Sequence, residues 1–375
     1  MKITVAIDSF KGSLSSLEAG NAVQEAIAKI DKSIKVTVRP LADGGEGTVA
    51  ALSALPDAET VEIPVCGPLE TPVKAKYCIL RDTNTAVMEM AEAAGINLVP
   101  REQLNPMKTT TYGVGELIRH AVEQGCRDIV LGLGGSCTND AGTGCAAALG
   151  VRFFDAAGAE FIPNGATLHR IADYDTTAAE ELLRGCTLTA MCDIDNPMYG
   201  PQGAAAIFGP QKGADEAMVA QLDHGLRHLA AVIRHRTGWD VNEVPGAGAA
   251  GAFGAGVVAF LGGALKSGIE TVLDCVRFDE LLQETDMVFT GEGQLDSQSL
   301  RGKVVIGIAR RAAAQQVPVV AVVGSIGEGA EGAYELGVTS VFSINRRAED
   351  FSVSRHKTKE NFSATMDAIV RLLAR

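Results

Sequence analysis

Acidic residues recur in this sequence where an apolar run gives way to glycines or small polar residues. The pattern occurs in "AIDSFKGS", "LADGGEGT", "GGSCTNDAG", "CDIDNP" and "TGEGQLDSQS". Its acids are Asp8, Asp43, Glu46, Asp140, Asp193, Asp195, Glu292 and Asp296. Helix capping or turn formation would account for any one of them. Because ligands of open α/β sheets bind beyond the carboxyl ends of the strands, five repeats of the pattern indicate a functional site there.

The neighbours of these acids favour chemistry on an anionic group. Glycines and small hydroxyls leave backbone N–H groups accessible, and a helix start after them attracts anions. Carboxylates beside such a loop suit Mg²⁺, which prefers oxygen ligands and bridges phosphates. Lys11, Lys212 and Lys303 lie near the same kind of turn and would offset phosphate charge, with a solvated surface position as the alternative for each. Phosphoryl transfer needs these parts together, so the pattern predicts phosphate or carboxylate chemistry in a cleft.

Other kinds of site find less support in the sequence. No G-x-x-x-x-G-K-[ST] motif occurs, and "GAGAAG" at 246–251 follows "NEVP" instead of the apolar strand that a dinucleotide motif requires. A close-packed Gly/Ala helix or an anion-binding helix start is expected at 246–251 instead. His224, His228 and His235 share a helical face that neighbouring arginines mark as solvated. Cys137 has no histidine at a recognisable spacing, so we expect neither a histidine metal site nor a cysteine nucleophile.

The composition indicates a two-domain α/β protein. The chain has 375 residues, 46% of them hydrophobic, which is too long for most single cores, and its 42 glycines suit many tight strand-to-helix turns. A net charge of −13 argues against nucleic-acid or anionic-membrane partners. It does not exclude an anionic substrate, because salt screening allows a cleft to have a local positive potential. A homodimer is left open as the assembly.

Further features favour a cytoplasmic location. The opening apolar run is too short for a signal peptide, and no stretch of about 18 apolar residues is present. The eight cysteines never form C-x-x-C, which is typical of buried, reduced thiols.

Periodicity predicts where the two domains divide. A strand at 2–7 is followed by a helix that starts at the capping box Ser15–Glu18, and from about 285 the chain returns to short units in which buried strands alternate with helices. The proline-marked stretch 64–72 is the strongest boundary signal. We therefore expect a discontinuous flavodoxin- or Rossmann-like domain, residues 1–66 plus 286–375, with residues 67–285 inserted as a second α/β domain and the active site in the cleft between them.

The motifs as a set resemble those of the bacterial type I glycerate kinases over nearly the whole chain. The residues that carry the match are "DSFKGSL" (8–14), "ADGGEGT" (42–48), "GGSCTND" (134–140), "FGPQKGA" (208–214), "PGAGAAG" (245–251) and "TGEGQLDSQS" (290–299). The resemblance implies ATP-dependent phosphorylation of D-glycerate with Mg²⁺, most simply to 2-phosphoglycerate. Formation of 3-phosphoglycerate, action on another small hydroxy acid, and a catalytically impaired ligand-binding protein are the alternatives.

The chain departs from the family pattern at a few positions. Ile7, Cys137 and Ala141 replace a usual proline, alanine and glycine, and Gln294 stands where the family has arginine in its "GEGR-D" motif. An arginine is a fixed charge and a bidentate donor to carboxylate or phosphate. Its loss predicts weaker glycerate binding or a related substrate if that arginine grips substrate, and no change if it only packs at the rim.

These considerations assign a role to each candidate residue. As catalytic residues we expect Asp193 or Asp296, as acceptor of the hydroxyl proton, together with Lys11. The loop 134–140 is expected to be a backbone cradle for an anion, with Asp140 directed at the cation or substrate. The expected substrate or phosphate contacts are Asp8, Ser9, Asp43, Gly44, Gly45, Gly134, Gly135, Ser136, Asn139, Lys212 and Lys303. The expected metal ligands are Asp140 and Glu292.

Overall fold

The computed structural model describes residues 1–10 and 12–373. The chain divides into two compact units, each of them discontinuous in sequence. Unit 1 comprises Met1–Asp43, Ala50–Pro56 and Ile269–Arg375, and unit 2 comprises Gly44–Val49 and Asp57–Gly268. Each unit has its own buried apolar core.

The strands alternate with helices along most of the chain. The strands are β1 (Lys2–Ile7), β2 (Lys35–Val38), β3 (Ala58–Cys66), β4 (Pro72–Leu80), β5 (Thr85–Glu89), β6 (Asp128–Gly132), β7 (Arg152–Phe154), β8 (Glu160–Phe161), β9 (Asp173–Asp175), β10 (Thr187–Met191), β11 (Ala264–Lys266), β12 (Met287–Gly291), β13 (Gln294–Leu295), β14 (Val319–Val323), β15 (Ser325–Ile326) and β16 (Ser340–Ser343).

The helices are α1 (Ser16–Ile30), α2 (Thr48–Leu52), α3 (Ala91–Ala94), α4 (Tyr112–Glu123), α5 (Thr143–Leu149), α6 (Thr177–Leu182), α7 (Ala204–Phe208), α8 (Glu216–Thr237), α9 (Ala249–Leu261), α10 (Gly268–Cys275), α11 (Phe278–Leu282), α12 (Val304–Ala314), α13 (Gly332–Glu335), α14 (Phe351–Ser354) and α15 (Thr358–Leu373). Short 3₁₀ turns lie at Ile96–Leu98, Arg101–Gln103, Leu168–Arg170, Pro210–Lys212, Val241–Glu243, Ser299–Arg301 and Arg355–Lys357.

Unit 1 is built on a five-stranded parallel sheet in the order β16-β14-β12-β1-β2. Numbered within the unit, this is the order 2-1-3-4-5, which distinguishes the flavodoxin-like doubly wound fold from the Rossmann order. β1 and β12 are neighbours, with Ile3 opposite Met287 and Ile7 opposite Gly291. The direction of winding reverses between them, and this switch point is where ligands bind in such sheets.

The unit 1 core explains why α1 and α15 lie against this sheet. Helix α1 starts at the capping box predicted from Ser15 and Glu18, in which each residue bonds the backbone N–H of the other. The apolar faces of α1 and α15 are buried together with alternating residues of β1 and β12. The core includes Ile3, Val5, Ile7, Val23, Ile27, Phe289, Phe362, Met366 and Ile369.

Unit 2 is built on a six-stranded mixed sheet in the order β11-β10-β6-β5-β4-β3. The first four of these strands run parallel, and the β3–β4 hairpin adds two antiparallel strands at one edge. A three-stranded antiparallel sheet, β8-β7-β9, is formed by the segment that follows α5. The carboxyl ends of β5, β6 and β10 therefore meet along one edge of the larger sheet.

Both domain boundaries differ from those expected from the sequence. The stretch 64–72 is the tip of a hairpin in which Cys66 pairs with Pro72, so β3 belongs to unit 2. The chain therefore passes from unit 1 to unit 2 at residue 57 instead of 67. The return to unit 1 occurs at residue 269 instead of 286. Arg311 of α12 explains the second shift, because it forms ion pairs with Glu270, Asp274 and Asp279 of α10 and α11.

Candidate functional site

A cavity lies at the carboxyl edge of the unit 1 sheet, at the switch point between β1 and β12. Its volume is about 460 Å³, and every residue that lines it belongs to unit 1. Asp8, Asp43, Glu292, Asp296 and Lys303, all singled out in the sequence, line this cavity. Ser9, another expected contact in this unit, lies beside Asp8 in the same wall, and its backbone N–H donates to Asp8 Oδ1 at 2.6 Å.

Two glycines allow the strand ends to approach each other at the cavity floor. A Cβ on Gly291 would lie 2.0 Å from the carbonyl oxygen of Val322, and a Cβ on Gly324 would lie 2.2 Å from that of Gly293. The N–H of Asp8 donates to Gly291 O at 2.9 Å, and the N–H of Gly324 donates to Glu292 O at 3.0 Å. The backbone at residues 291 and 292 is therefore hydrogen-bonded to chain segments on both sides.

Glu292 is the buried carboxyl group of this cavity. The residue is 5% exposed, and its Oε1 has no hydrogen-bond partner among the described residues. Burial raises the pKa of Glu292 to about 7, since desolvation disfavours the charged form. A hydrogen bond from Ser299 and the charge of Lys303 lower the pKa, whereas Asp8 and Asp296 raise it. At neutral pH this carboxyl group is thus able both to take up and to release a proton.

Asp296 is a partly exposed turn residue in the same cavity wall. Its Oδ1 accepts the backbone N–H of Gln298 at 2.8 Å and that of Ser299 at 3.3 Å, and its Oδ2 accepts Gln294 Nε2 at 2.9 Å. The Gln298 hydrogen bond is the largest of the effects that lower the pKa of Asp296. A carboxylate stabilised in this way is a poor proton acceptor, so the expected role of Asp296 as base is not supported by its surroundings.

Some cavity residues were missed by the sequence analysis. Ser325 and Asn345 follow β14 and β16 as the acids follow other strands, so extending the strand-end pattern to neutral polar residues would have found them. Arg355 and Asn361 come from the C-terminal segment, and no local spacing marked them. Lys11 lies outside the described residues.

A second set of expected residues lies at the carboxyl ends of the unit 2 strands. A Cβ on Gly134 would lie 3.7 Å from Gly45 Cα, so the two glycine-rich loops are neighbours, and Gly44 and Gly135 adopt φ of 90° and 73°. Gly134 and Gly135 are exposed. Asp193 is exposed in the same unit, and its Oδ1 accepts the N–H of Gly268 at 2.9 Å.

Asp140 is a structural residue, contrary to its expected role as a metal ligand. The residue has no exposed surface, and its carboxylate accepts the N–H and the hydroxyl of Thr111 at 2.9 and 2.8 Å. It also accepts the N–H groups of Gly142 at 3.2 Å and Gly144 at 3.3 Å. Burial raises the pKa of Asp140, while these hydrogen bonds lower it. The carboxylate joins the starts of α4 and α5 and is not directed at a ligand.

Lys212 is also internal. It is 1% exposed, and its Nζ donates to Ser136 Oγ and to the Thr138 carbonyl oxygen, each at 2.7 Å. Asn139 is fully buried, and its carboxamide has no hydrogen-bond partner among the described residues. Lys212 and Ser136 therefore stabilise the loop 134–140 from the protein interior. Of the anion contacts expected in this loop, Gly134 and Gly135 are exposed.

The buried ammonium should make stability depend on pH. Burial lowers the pKa of Lys212 to about 8, below the 10.5 of a free lysine, so between these values the unfolded chain binds a proton that the folded chain lacks. The free energy of unfolding should rise with pH across this window and lose that gain below pH 8. We expect wild type to gain about 2 kcal/mol relative to Lys212→Met between pH 7.5 and 10. Urea titrations of both proteins measure this, and parallel pH profiles would contradict it.

Magnesium does not fit the ligands expected from the sequence. Asp140 has its oxygens engaged by backbone and hydroxyl donors. In the described part of the chain, no three His, Cys, Asp or Glu side chains converge closely enough to hold an ion. Glu292 and Asp140 belong to different units and are not a ligand pair in either one. Neither residue is therefore assigned to a metal.

A doubly wound sheet with a polar cavity at its switch point is typical of α/β proteins that bind small molecules. Among the described residues, no helix combines the length and apolar character that crossing a membrane requires.

Comparison with known proteins identifies the family. The sequence matches the profile of the glycerate kinase family over residues 3–374. It is 44% identical to glycerate 2-kinase of Escherichia coli K12 over 92% of this chain and 90% of that protein, and 43% identical to glycerate kinase of Bacillus subtilis 168 over the same shares. A crystal structure assigned to glycerate kinase 2 of Salmonella typhimurium LT2 superposes with a TM-score of 0.90 at 39% identity, over 100% of this chain and 98% of that one. The chain belongs to the glycerate kinase family and is a kinase.

Proposed function

We propose that this kinase transfers the γ-phosphoryl group of ATP to D-glycerate and forms 2-phosphoglycerate. The observation that carries the proposal is the switch-point cavity. It is lined by a buried carboxyl group, Glu292, and by Lys303, whose charge lowers the pKa of that carboxyl group. Phosphoryl transfer needs a positive group for the phosphate and an acceptor for the hydroxyl proton, and the cavity holds both. The choice of the 2-position is supported by the relative in Escherichia coli, which is named a glycerate 2-kinase.

Lys303 and the start of α12 are the proposed contacts of the transferred phosphate. Lys303 is the N-cap residue of this 11-residue helix and lines the cavity with an exposed side chain. Free N–H groups and the helix dipole attract anions at such a position, and the ammonium adds a full charge. Arg355 supplies a second exposed cation at the same cavity.

The glycine-rich loops of unit 2 remain proposed contacts for anionic groups of the substrates. Gly134 and Gly135 are exposed, and Gly45 is partly exposed. Their backbone can approach an anion closely because no side chain intervenes. Mg²⁺ is proposed to accompany ATP, coordinated mainly by phosphate oxygens and water, since Mg²⁺ in kinases keeps several waters and needs few protein ligands.

Another small hydroxy acid as substrate is the second candidate. Gln294, at the position of the family arginine, donates to Asp296 in the cavity wall and so provides a neutral donor there. A neutral amide forms weaker hydrogen bonds to carboxylate than an arginine does, so a hydroxy acid that depends less on this contact than D-glycerate would lose less binding.

The test is ADP release from Mg-ATP with and without D-glycerate, followed by phosphorus NMR of the product. We expect glycerate-dependent release and a single 2-phospho product. A 3-phospho product would correct the position of transfer, and release that depends on another hydroxy acid in a substrate panel would correct the substrate. If the folded protein releases no ADP with any of these acids, it would act as a ligand-binding protein and not as a kinase.

A further inference from the structure

Glu292 lies at the ligand-binding edge of the unit 1 sheet, where we expect a substrate hydroxyl to bind. It follows β12 at the switch point, next to Asp8 at the end of β1. Its backbone is held by Gly324, and Gly291 before it permits the close approach to Val322. These contacts fix the backbone position from which the Glu292 side chain enters the cavity wall.

The unpartnered oxygen of Glu292 points to a missing donor. A buried acceptor without a hydrogen bond loses its hydration without compensation, so native structures rarely leave one. Oε1 of Glu292 is buried and has no hydrogen-bond partner within residues 1–10 and 12–373, although the residue lines the cavity. A substrate hydroxyl is a donor of the right kind, because an alcohol O–H forms a short hydrogen bond to a carboxylate.

The other acids of the cavity are less suited to accept a proton. Asp296 is partly exposed, and backbone donors lower its pKa. Asp8 and Asp43 are partly exposed, whereas Glu292 is the buried acid of the set. Among the described residues, the charges that shift the pKa of Glu292 are Asp8 beyond β1, Asp296 in the turn after β13 and Lys303 at the start of α12, and their effects partly cancel. Their balance leaves Glu292 able to exchange a proton near neutral pH.

We propose that Glu292 is the general base of the phosphoryl transfer and accepts the hydroxyl proton of the substrate on Oε1. The inference rests on the proposed function, since it requires an alcohol acceptor. The substrate O–H bond breaks as its oxygen forms a bond to the γ-phosphorus. The bond from that phosphorus to the β,γ-bridging oxygen breaks, and its electron pair leaves with ADP. Glu292 then returns the proton to water. This role replaces the one expected for Asp193 or Asp296.

The test compares Glu292→Gln with wild type in glycerate-dependent ADP release at pH 5.5 to 9. We expect kcat to fall about 100-fold or more at pH 8, with KM for ATP and glycerate changed less than about threefold, because only proton transfer is lost. Wild type should lose activity below about pH 7 in a limb that the variant lacks. Titration of the ATP phosphate affects both proteins equally, so the difference between the two profiles reports Glu292.

Asp296→Asn is the matched comparison, because it neutralises another carboxylate of the same cavity. Removing that charge should move the limb to lower pH, since Asp296 raises the pKa of Glu292, and kcat should fall by less than about tenfold. A folded Glu292→Gln protein with kcat within about threefold of wild type, or with the limb retained, overturns the proposal.

A further variant covers the case in which Glu292→Gln does not fold. Glu292→Asp keeps the carboxyl group but draws it back from the substrate, so kcat should fall at least about tenfold while the limb persists. Unchanged kcat in that variant overturns the proposal. If wild type does not turn over glycerate but turns over another hydroxy acid, only the proposed substrate is wrong. The same variants are then compared with that acid as substrate. Turnover of no hydroxy acid overturns both proposals.

Discussion

Replacement of Asp140 by alanine should lower the free energy of unfolding by about 4 kcal/mol. The substitution leaves three buried N–H groups and the Thr111 hydroxyl without their acceptor, and each buried unsatisfied group costs about 1–3 kcal/mol. The loss extends further along the chain, because the same Thr111 hydroxyl accepts the N–H of Cys145 at 2.9 Å. Urea denaturation followed by circular dichroism measures the change.

Two further variants separate the hydrogen bonds from the loss of side-chain volume and charge. Asp140→Asn keeps the shape and one accepting oxygen but turns an NH₂ group towards a backbone donor, so we expect a loss of about 2 kcal/mol. Asp82→Ala removes an exposed aspartate from the turn between β4 and β5 and should change stability by less than about 0.5 kcal/mol. A loss below about 1 kcal/mol for Asp140→Ala would show that these hydrogen bonds contribute little.

Replacement of Lys303 by methionine should lower kcat/KM for ATP about 100-fold or more. The variant keeps the length of the side chain but removes the positive charge that the cavity offers to the transferred phosphate, a loss comparable to removing one donor to a developing oxyanion. It should also move the acid limb of the pH profile to higher pH, since the Lys303 charge lowers the pKa of Glu292. Steady-state kinetics over the same pH range measures both effects.

Arg301→Met is the control for Lys303→Met, because Arg301 is an exposed cation two residues earlier that does not line the cavity. Its kcat/KM should stay within about threefold of wild type. If the two variants behave alike, general charge would explain the effect and the cavity position would not. If the acid limb of Lys303→Met does not shift, the charge of Lys303 does not affect the pKa of Glu292.

Local sequence patterns were sufficient to predict the cavity acids. Asp8, Asp43, Glu292 and Asp296 were found because the carboxyl ends of parallel strands meet at one edge of a sheet, and this geometry follows from periodicity and glycine placement. The parallel strands β12, β14 and β16 and the helix start at Ser15 were also predicted and are confirmed.

Burial and distant partners could not be read from local spacing. Asp140 resembles the other strand-end acids in sequence, yet its partner Thr111 lies 29 residues earlier in the chain. Lys212 follows a glycine-rich segment as a phosphate-binding lysine would, but its partner Ser136 is 76 residues away and inside the protein. The proline-marked stretch 64–72 predicts a domain boundary because a boundary and a hairpin tip share the same turn residues.

The separation of β1 from β12 has a consequence for biosynthesis. β1 leaves the ribosome before β12, and Met287 follows 284 positions after its neighbour Ile3, so the sheet of unit 1 is completed only after residues 57–268 have been synthesised. At about 5–20 residues per second, this strand waits roughly 15–55 seconds for its partner. Residues 57–268 are complete before then and can fold meanwhile. Until then the side of β1 that pairs with β12 is uncovered, and an uncovered strand edge of this kind is prone to aggregate or to bind chaperones.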